Sequence, residues 1–246
     1  MSKTPDSLRL FEADVVACEK CKRLRRHCVE IGQIKRRAYR DQDYWSLPVP
    51  SFGDPEARVL IVGLAPGAHG ANRTGRMFTG DKSGEWLYRA LHENGFASQL
   101  TSVSRDDGLR LNDCYITASV RCAPPDNKPT PAEFARCRPY LLRELKLLTK
   151  VQVVVCLGRL AFDTYLSVLQ SQGIIESRAA FRFEHGGMHA LTPLVISSYH
   201  PSQQNTSTGR LTREMLHGVF ASARAALQSS ADGPYNPGTG RSSNRM

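Results

Sequence analysis

Four short apolar runs, separated by segments with helical periodicity, constrain the fold of this chain more than any other feature. They read RVLIVGL at 58–64, YITASV at 115–120, QVVVCL at 152–157 and PLVISSY at 193–199. Continuous apolar runs of this length are typical of strands buried on both faces of a parallel sheet. Strands that alternate with helices predict an α/β fold in which a central parallel sheet is sandwiched by helices.

Capping signals predict where the helices begin. Ser83 can cap a helix through GEWLYRALHENG. Residues 130–133 read TPAE and combine an N-cap, a first-turn proline and a capping-box glutamate, which predicts a helix to about Leu148. Further helices are predicted after Gly158 and over 212–227.

The length of the chain fits one α/β core, so we predict a single domain over residues 1–227. Residues 228–246 are rich in Gly, Ser, Pro and Asn and offer no apolar segment to bury. This composition predicts a disordered tail.

An excess of basic residues favours a partner that carries phosphate. The chain has 33 Lys and Arg against 23 Asp and Glu, a net charge of +10. Basic proteins release counterions when they bind nucleic acid, although such charge also serves solubility or anionic membranes. The basic segment 21–40 is predicted to be solvated or to face DNA. Neither a transmembrane run nor a signal peptide is recognisable, so we expect a cytoplasmic, nucleoid-associated protein without a membrane partner.

Four of the seven cysteines are candidate metal ligands. Cys18 and Cys21 form a C-x2-C pair after an amphipathic segment, a spacing that lets two thiolates converge on one centre. Cys122 follows the second predicted strand and Cys137 lies in the next helix, where both can face that centre. Four thiolates suit zinc and a 4Fe-4S cluster equally well on geometry.

The alternative for these cysteines is a smaller site. Cys122 and Cys137 can be small buried apolar residues, with Cys28 completing a local site beside the C-x2-C pair. Cys114 and Cys156 adjoin or lie within apolar strands, so we predict that they are core residues and not ligands.

Three motif loops fall at the carboxyl ends of the predicted strands, where α/β folds bind ligands. They read GLAPGAHGANRTGRMFTGD at 63–81, RCAPPDNKPTPAEFARCRP at 121–139 and SYHPSQQNTSTGRLT at 198–212. With these motifs the chain resembles the type b (family 5) uracil-DNA glycosylases over about residues 8–226. The resemblance implies the uracil-glycosylase α/β sandwich.

The resemblance also implies base-excision chemistry on DNA. The implied substrates are uracil and related bases such as hypoxanthine, hydroxymethyluracil and ethenocytosine, and the product is an abasic site. We expect the enzyme to be monofunctional, because the Gly/Ala loop after the first strand supplies no amine nucleophile for a lyase. We also expect it to be a monomer. The implied cofactor is a 4Fe-4S cluster, with no catalytic metal, on Cys18, Cys21, Cys122 and Cys137.

The first motif loop supplies four candidate site residues. Gly63 and Ala65 belong to a run of small residues that permits close approach to a flat base. Ala65 stands where most other families of the superfamily carry an acid or amide that handles water, so the resemblance shifts that role to Asp81, whose alternative role is a helix cap. Phe78 resembles the aromatic residue that stacks on the flipped base, and is otherwise a core residue.

The other two loops supply the remaining candidates. Asn127 resembles the asparagine whose amide reads the uracil edge, and is otherwise a turn residue. His200 resembles the histidine that donates to the uracil carbonyl as negative charge develops, and is otherwise structural. The segment after His200 resembles the minor-groove wedge, and its predicted DNA-binding residues are Ser202, Gln203, Asn205, Arg210 and Leu211.

Two other function classes fit parts of the sequence. The alanine at position 65 is compatible with a cluster- or zinc-stabilised DNA-binding protein that has no catalytic activity. The cysteine set is compatible with a redox or radical enzyme that uses its cluster in turnover, whose activity would depend on the reduction state.

Overall fold

The computed structural model describes residues 7–229, which form a six-stranded sheet between helices. The strands are β1 (Phe52–Gly53), β2 (Val59–Gly63), β3 (Cys114–Ala118), β4 (Val153–Leu157), β5 (Met188–His189) and β6 (Leu194–Ser198). The helices are α1 (Leu8–Val16), α2 (Lys22–Ile34), α3 (Ala71–Thr74), α4 (Lys82–Glu93), α5 (Pro131–Leu147), α6 (Arg159–Ser171), α7 (Gln203–Ser207) and α8 (Arg213–Ser229).

The centre of the sheet is parallel, as predicted. The strands lie in the order β1-β3-β2-β4-β6-β5, and β3, β2, β4 and β6 run parallel to one another. The edge strands β1 and β5 are antiparallel and make the sheet mixed. They were not predicted, because two residues carry no periodic signal.

Alternate side chains of β2 enter the two hydrophobic cores on opposite faces of the sheet. Val59 and Ile61 pack with residues of α4 and α8, whereas Leu60 and Val62 pack with residues of α6. All four are 0% exposed, and each such side chain contributes roughly 1.5–3 kcal/mol when it is removed from water. The apolar run therefore fixes β2 in the middle of the sandwich.

The loop that follows β2 lies at the point where the strand order reverses. From β2 the chain continues to β3 on one side and to β4 on the other. In open α/β sheets, ligands bind in the crevice at this switch point, beyond the carboxyl ends of the strands.

Helix α2 corrects the prediction that residues 21–40 are a solvated stretch. Leu24, Arg25 and Cys28 lie on one buried side of this helix. The many cations masked the helical pattern in the sequence, because only three positions in this helix face the interior.

Two element boundaries also differ from the prediction. Asp81, not Ser83, caps α4. Helix α8 continues to Ser229, two residues past the predicted end of the domain at 227; the rest of the predicted tail lies outside the described residues. Within the part of the chain that the structure describes, no helix is both long and apolar enough to cross a membrane.

Candidate active site

A cavity of about 830 Å³ opens at the carboxyl edge of the sheet, beside the switch point. Its volume lies within the usual range for small-molecule sites, roughly 300–1,000 Å³. Residues from all three motif loops meet there. The predicted site residues that line the cavity are Gly63, Ala65, Phe78, Asp81, Asn127, His200, Ser202 and Gln203.

The carboxylate of Asp81 is held by backbone on two sides. Its Oδ1 accepts a hydrogen bond from the Gly84 N–H at 2.9 Å. Its Oδ2 packs on the loop after β2, where a Cβ added to Gly70 would lie 1.8 Å from Oδ2 and one added to Gly67 would lie 2.9 Å away. One oxygen therefore caps α4, and the other requires glycine in the facing loop.

Burial raises the pKa of Asp81 above its ordinary range. Hydrogen bonds from the backbone amides of Gly84 and Ser83 and the positive charge of Arg73 oppose that shift. An acid whose pKa is raised inside a cavity is a common feature of functional sites.

Two buried arginines hold the segment that leads to Asp81. The Arg73 guanidinium donates to the Gly80 carbonyl oxygen at 2.7 Å. The Arg76 guanidinium forms an ion pair with Asp107 at 2.7 Å and holds the pKa of that carboxyl at about 2. These contacts brace the segment from behind, away from the cavity.

The ring of Phe78 lies over Gly63, the last residue of β2. A Cβ added to Gly63 would lie 3.0 Å from the ring atoms Cε2 and Cζ of Phe78. The ring centroid is 5.8 Å from that of His200, with 31° between the planes. Phe78 has φ +53, a conformation that is uncommon without glycine and is often retained at functional sites.

The half-buried imidazole of His200 is neutral at pH 7, because burial lowers its pKa to about 4. The backbone carbonyl of His200 accepts a hydrogen bond from Asn205 Nδ2 at 2.9 Å. Gly158, at the end of β4, has φ +96, and a Cβ there would lie 3.2 Å from the Cβ of His200. A neighbouring strand end and a neighbouring side chain therefore fix the position of His200.

Asn127 reaches the cavity from a strained turn. It ends a 3-10 turn at Pro125–Asn127, and both Asp126 and Asn127 have positive φ, +53 and +55. Asparagine tolerates this conformation better than most residues do. The turn presents the exposed side chain of Asn127 at the rim.

The cysteines gather in what we call the cysteine cap, made of α1, α2 and the first half of α5. Cys21, Cys122 and Cys137 are buried in one cluster. Cys18 is partly buried and packs against the neighbouring apolar cluster that contains Tyr140. Burial is the main cause that raises the pKa of Cys137, to about 11.

The remaining cysteines divide into two kinds. Cys114 and Cys156 are 0% exposed in the sheet and are core residues, as predicted. Cys28 is buried in the cysteine cap, in the same cluster as Cys122, with its Sγ 3.7 Å from the Ala123 carbonyl oxygen. Among residues 7–229, no three His, Cys, Asp or Glu side chains are already arranged around a metal-ion position.

Known proteins with similar sequences identify the family. A family model for the uracil DNA glycosylase superfamily matches residues 50–224. The Type-5 uracil-DNA glycosylase of Thermus thermophilus is 49% identical over 216 residues, which cover 87% of this chain and 95% of that protein. The one of Mycobacterium leprae is 47% identical over 221 residues, 89% and 95% of the two chains.

The chain belongs to the type-5 uracil-DNA glycosylase family. This confirms the resemblance drawn from the three motif loops. The Type-4 uracil-DNA glycosylase of Archaeoglobus fulgidus is less similar, 32% identical over 155 residues that cover 63% of this chain and 70% of that protein.

The prediction that Leu211 binds DNA is wrong, and two other predicted DNA-binding residues, Asn205 and Arg210, are not part of the cavity lining. Leu211 is 0% exposed and packs in the core with residues of α8, so it cannot wedge into a duplex. Arg210 is exposed, with its guanidinium 4.6 Å from the centroid of the Tyr199 ring. Asn205 braces His200. The apolar leucine was misread because a polar loop surrounds it in the sequence.

Several cavity residues were missed by the sequence analysis. Arg36 and Tyr39 come from the segment after α2, His69 from the glycine loop, and Lys82 from the first turn of α4. His69 lies inside a motif already singled out, so its position was a usable signal. Nothing in the sequence places Arg36 or Tyr39 near a strand end, because only the folding of α2 against α3 brings them there.

Proposed function

We propose that the cavity binds a uracil base extruded from DNA and that the chain hydrolyses its N-glycosidic bond, leaving an abasic site. The observation that carries this proposal is that a carboxylate, a neutral imidazole, an aromatic face and a carboxamide line one cavity. Membership of the type-5 family, whose named members are uracil-DNA glycosylases, supports uracil in DNA as the substrate.

Base binding is assigned to Phe78 and Asn127. Stacking on an aromatic ring contributes roughly 1–3 kcal/mol per base, which offsets much of the few kcal/mol lost on extrusion. The carboxamide of Asn127 offers one donor and one acceptor group, which match the edge of uracil. Ser202 and Gln203 at the rim are assigned to the DNA backbone.

Bond cleavage is assigned to His200 and Asp81. As the glycosidic bond breaks, its electron pair leaves with the base, and the negative charge spreads to the uracil carbonyl oxygen. The neutral imidazole of His200 donates a hydrogen bond to that oxygen, an interaction that strengthens as the charge develops. The carboxylate of Asp81 stabilises the cationic sugar or orients the attacking water, which adds to the anomeric carbon.

The excised bases are proposed to include hypoxanthine, hydroxymethyluracil and ethenocytosine. A cavity of about 830 Å³ is large enough for these bases. We place the enzyme in DNA repair in the cytoplasm, where we expect it to act as a monomer.

A 4Fe-4S cluster fits the cysteine cap. Cys18, Cys21, Cys122 and Cys137 would supply four soft sulfur ligands from three separate segments, and three of the four are buried in one cluster. The cluster would tie α1, α2 and α5 to the end of β3, and it would supply structural stabilisation, not bond cleavage. Zinc fits the same donor set, and the metal content of purified protein distinguishes the two.

Monofunctional hydrolysis is proposed although one amine lies at the cavity. The Gly/Ala loop supplies no lysine, but the exposed Lys82 follows Asp81 and lines the cavity. A lyase would form a Schiff base between this amine and the abasic sugar. Borohydride reduction during turnover is expected to trap no DNA adduct; an adduct that disappears in Lys82→Arg would establish the bifunctional alternative.

The decisive experiment compares the purified protein on oligonucleotides with and without a single uracil. Alkali should cleave only the uracil strand after incubation, and His200→Ala should lower the single-turnover rate by roughly 10²–10³-fold while DNA binding persists. Unchanged base release in both His200→Ala and Asp81→Asn would rule out this catalytic assignment. DNA binding without base release by the wild-type protein would favour a non-catalytic DNA-binding protein.

A further inference from the structure

Two basic side chains at the cavity take no part in the chemistry assigned above. Arg36 and His69 both line the cavity together with Asp81 and His200. Arg36 is exposed, and no carboxylate of residues 7–229 lies within ion-pair distance of its guanidinium. A guanidinium without a carboxylate partner, at the mouth of a cavity that accepts a nucleotide, is available to bind phosphate.

The hydroxyl of Tyr44 is the hydrogen-bond partner of the His69 ring. The Tyr44 hydroxyl oxygen is 3.0 Å from His69 Nδ1, and it accepts the backbone N–H of Arg36 at 3.5 Å. We assign the phenol proton to the bond with Nδ1, so the neutral imidazole carries its own proton on Nε2. Burial and the charges of Arg36 and Arg73 lower the pKa of His69, which favours the neutral form of the ring.

The segment that carries Arg36 is docked on the loop that carries His69. The ring of Tyr39 lies under the Arg73 guanidinium, 3.9 Å from its carbon. Arg73 in turn donates from Nε to the His69 carbonyl oxygen at 2.8 Å. Lys35, with φ +54, makes the sharp bend after α2 that turns this segment towards the loop. The backbone that carries Arg36 is therefore fixed next to the loop that carries His69 before any ligand binds.

We propose that Arg36 and His69 bind a DNA backbone phosphate next to the extruded nucleotide, and that Tyr44 is a positioning residue for His69. The guanidinium supplies paired donors and the imidazole supplies a further N–H, a set that suits phosphate oxygens. Glu85 and Asp126 also line the cavity, so the expected ligand is a phosphate held in register by the duplex, not free phosphate. The inference rests on the proposed function only in taking DNA as the ligand.

The test neutralises one phosphate at a time. Binding is measured by fluorescence anisotropy to a duplex with a tetrahydrofuran abasic-site analogue, with a methylphosphonate on either side of it. The wild-type protein should lose on the order of tenfold in affinity at one of the two positions. The double variant Arg36→Ala/His69→Gln should bind the unmodified duplex more weakly than the wild type does. The methylphosphonate that weakens wild-type binding should cause no further loss of affinity in the double variant. The slope of log affinity against log salt concentration should be lower in magnitude by about one.

Matched variants separate this contact from general charge and from misfolding. Arg37→Ala removes an exposed neighbouring cation that is not part of the cavity lining, and it should keep the wild-type methylphosphonate penalty. Tyr44→Phe keeps the ring but should lower affinity a few-fold and shift the ¹⁵N imidazole resonances of His69 away from the Nε2–H pattern. Circular dichroism melts check that each variant is folded.

An equal methylphosphonate penalty in the wild-type protein and in the Arg36/His69 double variant would overturn the proposal, as would unchanged His69 resonances in Tyr44→Phe. The analogue contains no base to excise, so this measurement does not depend on catalysis. A wild-type protein that binds the analogue through Arg36 but releases no uracil would refute the proposed function alone.

Discussion

The cavity and the cysteine cap are neighbours, yet the chain positions their functional groups by different means. In the cavity, backbone does most of the positioning: Gly70 makes room for the Asp81 carboxylate, Gly63 for the Phe78 ring, and Gly158 for His200. In the cap, thiols from three segments pack as a small hydrophobic cluster. Backbone geometry orients the groups to which we assign catalysis, whereas the cap gathers buried thiols from separate segments of the chain.

Asn72 and Ala65 connect the two regions. Asn72, 0% exposed in α3, donates from Nδ2 to the Cys28 carbonyl oxygen at 3.2 Å. Ala65, in the loop after β2, packs against the cysteine cluster. Damage to the cap should therefore reach the cavity through these two contacts as well as through global stability, while damage to the cavity backbone should act on the site directly.

Substitution of Asp81 should give the largest change in rate. Two variants of this residue distinguish a catalytic role from a helix-capping role. Asp81→Asn keeps a good N-cap residue, so the melting temperature should stay close to that of the wild type, while the single-turnover rate falls by roughly 10²–10³-fold. Asp81→Ala should lose the rate and also about 1 kcal/mol of stability. Equal rates for Asp81→Asn and the wild type would show that the carboxylate serves only as a cap.

Substitution of Cys137, one of the four proposed ligands, tests the role of the cysteine cap. Cys137→Ser should lose iron and visible absorbance and lower the melting temperature on the order of 10 °C, because a group bound only by the folded state stabilises it. Cys156→Ala is the matched core variant and should keep the iron. Retention of full iron content by Cys137→Ser would exclude Cys137 as a ligand.

Gly70→Ala tests whether the facing loop supports the Asp81 carboxylate, and it leaves Asp81 itself unsubstituted. The added Cβ would overlap Oδ2 at 1.8 Å, so the carboxylate must move and the rate should fall by at least tenfold, as such crowding costs roughly 1–3 kcal/mol. Gly218→Ala, in α8, has nothing within 4 Å of the added atom and should stabilise the helix slightly. Wild-type kinetics in Gly70→Ala would contradict the proposed support.

The smallest expected effect is on stability: titration of His200 should change how the free energy of unfolding depends on pH. Burial lowers its pKa from 6.5 to about 4, so between these values the unfolded state binds the extra proton. The free energy of unfolding should therefore rise with pH across this window, by up to about 1.4 kcal/mol per unit, and level off above it. Stability is lost as the pH falls towards 4.

Denaturant titrations from pH 4 to pH 7.5 on the wild type and on His200→Gln measure this contribution as a difference in slope. The difference also removes the contribution of Asp81, whose raised pKa acts in the opposite direction. Identical slopes for the two proteins would mean that His200 is not held neutral by the fold.

Much of the fold followed from local patterns in the sequence. The apolar runs predicted β2, β3, β4 and β6, because strands buried on both faces need continuous apolar side chains. The capping box at residues 130–133 predicted the start of α5, and both of its reciprocal hydrogen bonds are present. Edge strands and α2 escaped prediction, because their formation depends on neighbours that a local pattern does not contain.

The residues of the site also fall into two groups, those that the sequence predicted and those that it did not. Asp81, Asn127 and His200 could be named from the sequence because their motif loops resemble those of a known family. Loops that follow parallel strands meet at one edge of the sheet, which explains why the three residues line one cavity. Only the tertiary structure decided that Leu211 is a core residue and that Arg36 reaches the cavity. The physical reason is the sequence distance over which each interaction acts. Capping, periodicity and turn preferences involve residues a few positions apart, whereas burial and cavity lining depend on segments that meet only after the chain has folded.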